Sequence, residues 1–150
     1  MNKRVFLLGP CHKINRKSGH LHRPFDPASR SGRFLRDIMP SEGVSCIEVV
    51  YDNILPNACF NQAGKECLPT LSVLTKSLEQ HKVWNNADIV VGFGTQVRAA
   101  LEQVAKERAR VACGKFCPSL IYLPHPSYVL RRPAPERESF CKQLRAAIYA

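Results

Sequence analysis

A histidine between two prolines is the residue in this sequence whose surroundings most favour chemistry. His125 follows the apolar run 119–123 and lies between Pro124 and Pro126. Proline fixes its own φ at about −65° and biases the preceding residue towards extended geometry, so the histidine is expected in a stiffened loop. A hydroxyl, Ser127, and two arginines follow, which suits contact with a phosphate-bearing ligand. The alternative interpretation is a proline-rich turn whose histidine is satisfied within the fold.

Four short apolar runs predict β-strands. They span residues 4–9, 45–51, 87–94 and 120–123. The segments between and after them carry apolar residues at three- and four-residue spacing, which predicts helices after Ser29 or Ser31, within 68–78, from Thr95, and over 136–150. Pro40 and Gly43 are the predicted stop of the first helix. The alternation predicts one α/β domain, residues 1–150, with a central four-stranded parallel sheet in a three-layer α/β/α arrangement.

The polar residues of interest follow the predicted strands. In open parallel sheets, ligands bind at the carboxyl ends of the strands. This rule places four segments along one edge of the sheet: the loop 9–25, the loop 52–57, residues 92–95, and the loop that contains His125. The sequence therefore predicts a single binding edge.

Composition and charge narrow the class of protein. With 45% apolar and 23% charged residues the chain is globular, and its net charge of +10 favours nucleic acid as a partner, with an acidic membrane surface second. The apolar run near the start is too short for a signal peptide, and no run approaches the about 20 residues of a membrane span. Seven cysteines do not form the even framework of a small secreted domain. We expect an intracellular monomer, cytoplasmic or nucleoid-associated, with reduced thiols.

Four segments occur in the order found in one known family. They are Gly19–Phe25 with Ser31–Leu35, Asp52–Pro56, Ala87–Val97, and His125–Arg131. Together they resemble the motifs of the uracil-DNA glycosylase superfamily, in particular its compact single-domain uracil and mismatch glycosylases. The resemblance covers nearly the whole chain. It implies a glycosylase that hydrolyses the N-glycosidic bond of a flipped uracil or related damaged base, as in base excision repair, with DNA as the partner.

The resemblance also implies roles for individual residues. Phe25 would stack on the extruded base, Asn53 would read the pyrimidine edge, and His125 would donate to the leaving base oxygen. Gly9, Pro10 and Cys11 would complete the substrate pocket. The DNA contacts would come from Ser31, Arg33, Ser127, Tyr128, Arg131 and Arg132.

The first motif departs from the family pattern. Its members usually carry Asp, Glu or Asn after the first strand to position the attacking water, whereas this chain has no carboxylate between Gly9 and His12. His12 is therefore a candidate catalytic residue, with Asp26 or Asp52 as substitutes. Two alternatives remain: a catalytically weak or inactive DNA- or nucleotide-binding protein of the same fold, and a small-molecule nucleoside or phosphate-ester hydrolase.

No cofactor or metal is expected. Some family members hold an iron–sulfur cluster with four cysteines. Cys59 and Cys67 match one pair, but the pair upstream of the first strand has no counterpart before Arg4. Cys113 and Cys117 are loosely spaced for zinc and lack a partner pair.

Overall fold

The structure is a computed structural model that describes residues 3–14, 19–39, 46–111 and 117–149. In chain order its elements are β1 (Lys3–Cys11), α1 (Arg30–Ile38), β2 (Ile47–Leu55), β3 (Cys59–Phe60), β4 (Glu66–Cys67), α2 (Leu71–Glu79), α3 (Val83–Asn86), β5 (Ile89–Phe93), α4 (Thr95–Val111), β6 (Ser119–Leu123), α5 (Pro126–Val129) and α6 (Ala134–Ile148). No helix in these ranges is long and apolar enough to cross a membrane.

The predicted α/β fold is confirmed. Strands β1, β2, β5 and β6 form one parallel sheet in the order β2-β1-β5-β6. Helices α1, α5 and α6 contribute buried residues to the core on one face, and α2, α3 and α4 contribute to the core on the other. The result is a three-layer α/β/α arrangement.

The alternation of side chains across the central strand explains its unbroken apolar sequence. In β1, Val5 and Leu7 belong to one core, while Phe6 and Leu8 belong to the other, and all four are at most 2% exposed. A strand with helices on both faces has no solvated side, so its sequence shows no polar alternation.

Strands β1 and β2 both extend beyond their predicted ends. We expected loops from Pro10 and over 52–57, but β1 continues to Cys11 and β2 to Leu55, so Asn53 lies within a strand. The two strands still pair there, with Gly9 opposite Asn53 and Cys11 opposite Leu55. Pairing with β5 on the other side has already ended at Leu8. Pro10 has no N–H to donate and is tolerated where one neighbouring strand is absent.

Three small elements were not predicted. They are the antiparallel hairpin β3–β4, the short helix α3, and the short helix α5, which starts directly after His125. A helix of four residues is too short to show a hydrophobic period, so its signals were read as a loop. Pro40, Gly43, Ser45, Cys113 and Ala150, which the sequence interpretation used, lie outside the described residues.

Candidate functional site

A cavity of about 810 Å³ opens at the carboxyl edge of the sheet. It collects residues from β1, β2, the segment before α1, and α5. The sequence-predicted residues in its walls are Pro10, Cys11, Phe25, Ser31, Asn53, His125, Ser127 and Arg131. Gly9, His12, Arg33, Tyr128 and Arg132 are not among the residues that line it. The predicted convergence on one edge therefore holds for most of the predicted site.

His125 is held in one tautomer by the helix that it caps. The backbone N–H of Ser127 donates to Nδ1 of His125 at 3.1 Å, and Oγ of Ser127 lies 2.8 Å from the same nitrogen. Nδ1 is therefore an acceptor, and the neutral ring carries its proton on Nε2. Burial, with a smaller effect of Lys13, lowers the pKa of His125 to about 4. At neutral pH the site thus contains an uncharged imidazole with one N–H to donate.

The side chain of Asn53 occupies space that a glycine leaves open. Asn53 is only 8% exposed, and a Cβ on Gly9, its partner across the strands, would lie 2.5 Å from Oδ1 of Asn53. The missing side chain of Gly9 thus admits the amide, although Gly9 does not line the cavity. An amide presents a donor and an acceptor side by side, which suits the edge of a pyrimidine.

His12 is held behind Asn53. Its Nδ1 lies 3.0 Å from the carbonyl oxygen of Leu55 and 3.3 Å from Nδ2 of Asn53. A carbonyl oxygen at this distance requires an N–H, so Nδ1 donates to Leu55 and cannot also accept from the amide. The amide nitrogen of Asn53 therefore keeps its hydrogens for another acceptor, and His12 acts on the site only through Asn53.

Phe25 is fixed in a strained backbone conformation. Its φ is 48°, which is uncommon for a residue with a side chain, and Nε of Arg36 donates to its carbonyl oxygen at 2.9 Å. The ring lies edge-on to Phe93, with centroids 5.5 Å apart, and stacks towards His125 at 6.0 Å. Strain of this kind persists only where the surroundings enforce it, and it is often found at ligand-binding sites.

Of the two substitute carboxylates, only Asp26 lines the cavity. Asp52 is bound elsewhere, with Oδ2 3.4 Å from Nε2 of His81 and 3.6 Å from Nζ of Lys82. Burial would raise the pKa of Asp52, but the hydrogen bonds from His81 and from the N–H of Asn53 hold it below its usual range. Because Asp52 and Asn53 are neighbours in one strand, their side chains point to opposite faces of the sheet.

Asp26 is a stable anion in the cavity wall. The N–H of Ala28 donates to Oδ1 at 2.9 Å, and His22 and the N–H of Arg23 approach Oδ2 at 3.4 and 3.3 Å. These contacts, the N–H of Ala28 above all, lower the pKa of Asp26. In the sequence, Asp26 is marked only by its position directly after Phe25. That position did not show whether Asp26 or Asp52 is the substitute carboxylate.

The charge around the cavity is mainly positive. Its lining includes four cations, Lys13, Arg23, Arg30 and Arg131, against two carboxylates, Asp26 and Glu66. Arg132 forms a two-point ion pair with Glu136, at 2.8 and 2.9 Å, on the exposed surface. Arg131 is therefore better placed than Arg132 to bind an anion in the cavity. The contribution of these cations was missed because Lys13 and Arg30 lie outside the four motif segments and the motif Gly19–Phe25 implies no role for Arg23.

The thiol of Cys11, in the cavity wall, is not activated. Burial, together with the neighbouring Cys59, raises the pKa of Cys11 to about 11, so this thiol stays protonated at neutral pH. Cys59 lies opposite Cys67 in the β3–β4 hairpin. Among the described residues, no group of three or more His, Cys, Asp or Glu side chains could hold a metal ion.

The low pKa of His125 predicts how stability depends on pH. The unfolded chain takes up this proton near the ordinary value of 6.5, whereas the folded protein takes it up at about 4. The stabilisation is therefore full above pH 6.5 and is lost as pH falls towards 4, by about 3 kcal/mol for this residue. Urea unfolding of wild type and His125→Gln between pH 7 and pH 4 measures the difference. His20→Gln, at an exposed histidine, is the matched control, and parallel curves for all three proteins would contradict the prediction.

No protein-family model matches this chain, and no curated protein is significantly similar to it in sequence. The function is therefore inferred from the residues that the fold brings together.

Proposed function

We propose that this protein is a DNA glycosylase that hydrolyses the N-glycosidic bond of a flipped uracil, or of a related damaged base. The observation that carries the proposal is that a neutral histidine, a buried asparagine amide and a fixed aromatic ring line one basic cavity. The resemblance of the motifs to the uracil-DNA glycosylase superfamily supports the same activity, with base excision repair as its setting.

The cavity offers the contacts that a flipped pyrimidine requires. Flipping costs a few kcal/mol of lost pairing and stacking, and the ring of Phe25 would recover about 1–3 kcal/mol of this by stacking. The amide of Asn53 would bind an adjacent N–H and C=O, a pattern that uracil presents and cytosine does not. The strained backbone of Phe25 and the open space at Gly9 both serve to hold these two groups in place.

His125 would stabilise the leaving base. When the C–N bond breaks, its electron pair goes to the base and negative charge develops on the O2 oxygen. The neutral ring donates a hydrogen bond from Nε2–H to this oxygen without giving up its proton. A fixed donor at a developing oxyanion lowers the barrier by about 3–4 kcal/mol. The hydrogen bonds from Ser127 keep that proton on Nε2.

Asp26 would act on the sugar side of the bond. Loss of the base leaves an oxocarbenium-like sugar, and water adds to it and releases a proton. A carboxylate of low pKa is a weak base but a permanent negative charge, so we assign Asp26 to stabilising the sugar cation and orienting the water. This assignment replaces the carboxylate that the first motif lacks.

Excision of uracil from oligonucleotides tests the proposal. Single- and double-stranded substrates with uracil, hypoxanthine or a T:G mismatch are incubated with the protein, and abasic sites are then cleaved by alkali. We expect scission at uracil by the wild type, and about 5- to 150-fold slower scission by Asn53→Ala, because the pyrimidine edge loses about 1–3 kcal/mol of hydrogen bonding. Arg145→Ala, an exposed change on α6 outside the cavity and outside the predicted DNA contacts, is the control for general damage.

The second candidate function is DNA binding without catalysis. It is favoured by the absence of a carboxylate between Gly9 and His12, and by the hydrogen bond that holds His12 to Leu55. Salt-dependent DNA binding with no scission on any substrate would establish it and exclude the glycosylase. Absent or salt-insensitive DNA binding would instead favour a small-molecule hydrolase.

A further inference from the structure

A second cavity of about 680 Å³ lies beside the first and shares a wall with it. Pro10, Lys13, His125, Ser127 and Arg131 line both. The second cavity extends over the ends of β5 and β6 and the start of α4. A ligand in it would therefore be the immediate neighbour of a base in the first cavity.

The walls of the second cavity suit a flat heterocycle. Tyr122 and Tyr128 line it, as does Leu68, which is 56% exposed although it is apolar. Oε1 of Gln96 is buried in the same region and has no hydrogen-bond partner among the described residues. A buried amide oxygen without a partner is destabilising, and rotation of this side chain towards the cavity would let an N–H from a ligand satisfy the oxygen.

The charge at the shared wall suits a phosphate. Lys13 and Arg131 lie where the two cavities meet. Arg98 also lines the second cavity, but it forms an ion pair with Glu102 at 2.9 Å. No acidic residue of the described chain lines the second cavity. Two adjoining cavities with cations at their shared wall suit two consecutive nucleotides joined by one phosphate.

We propose that the second cavity binds the base of a nucleotide adjacent to the flipped one on the same strand, and that the substrate is single-stranded DNA. This inference rests on the proposed glycosylase function and adds its substrate class. The neighbouring base stacks on the tyrosine rings, and Oε1 of Gln96 accepts a hydrogen bond from its exocyclic amine. In a duplex that base would also have to leave its pair, a second cost that single strands avoid.

The test measures uracil excision as a function of the neighbouring base. Single-stranded oligonucleotides carry adenine, thymine or an abasic tetrahydrofuran on the 5′ or the 3′ side of uracil, and excision is followed in single turnover. Removing the neighbouring base on one side is expected to slow excision about tenfold, because one stacked base is lost, and removing it on the other side is expected to have little effect. Adenine is expected to support faster excision than thymine on the sensitive side, and single strands to react faster than duplexes.

Gln96→Met tests the amine contact. This variant keeps the volume of the side chain but loses the acceptor, so the preference for adenine over thymine should disappear. Gln103→Met, the same change further along α4 and outside both cavities, should keep the preference. Excision that is independent of the neighbouring base, or faster on duplexes, would overturn the inference and leave the glycosylase function standing. No excision from any substrate would overturn both.

Discussion

Replacing His125 with alanine is expected to slow uracil excision by about 10²- to 10³-fold, because the donor to the leaving base oxygen is lost. The effect should appear in kcat, since the hydrogen bond strengthens as charge develops on that oxygen in the transition state. Single-turnover excision from a uracil oligonucleotide, at saturating enzyme and pH 7, is the measurement. Binding of the same oligonucleotide should change little.

Two variants distinguish loss of this donor from general damage. His20→Ala removes an exposed histidine and should retain full activity. Ser127→Ala removes the hydroxyl 2.8 Å from Nδ1 of His125 but keeps the backbone N–H that donates to the same atom, so its loss should be smaller than that of His125→Ala. Wild-type activity in His125→Ala would contradict the role assigned to this residue.

Replacing Gly32 with alanine is expected to lower the free energy of unfolding by about 3 kcal/mol, as overpacking a rigid contact does. A Cβ at Gly32 would overlap the carbonyl oxygen of Asp26 and lie 2.6 Å from that of Phe25. Both contacts are backbone atoms of the strained segment, so they cannot move aside as a flexible side chain would. Urea unfolding at pH 7 measures the change.

Whether Gly32→Ala lowers or raises the free energy of unfolding is informative, because Gly32 lies within α1. A glycine-to-alanine change in a helix ordinarily stabilises by up to about 1 kcal/mol. Arg33→Ala, at the next residue of the helix and on its exposed side, should leave the stability nearly unchanged. The Gly32→Ala variant should also lose excision activity, since the carbonyls that it displaces belong to Asp26 and Phe25. A higher free energy of unfolding for Gly32→Ala than for the wild type would show that α1 is not in tight contact with the backbone of Phe25 and Asp26.

Much of the fold follows from local sequence. The central strands β1 and β5 are buried on both faces, so their apolar runs are continuous and predict strands directly. The longer helices show their period because each packs one face on the sheet. Helix α5 was missed because its four residues form a single turn, started by Pro126 and by the cap from His125. The strand order β2-β1-β5-β6 depends on how the connections cross the sheet, which no local pattern encodes.

The candidate site, like the fold, could be predicted from the sequence only in part. By itself the sequence determined which residue types lie at the carboxyl ends of the strands, because apolar runs followed by polar residues mark those ends. The resemblance of the motifs then selected Phe25, Asn53 and His125 as partners. Only the tertiary structure decided which carboxylate lies beside them. The side chain of Asp52 points to the opposite face of the sheet and pairs with His81, whereas Asp26 lines the cavity. It also decided that the ring of His125 is neutral, because burial sets its pKa, and burial depends on elements distant in the chain.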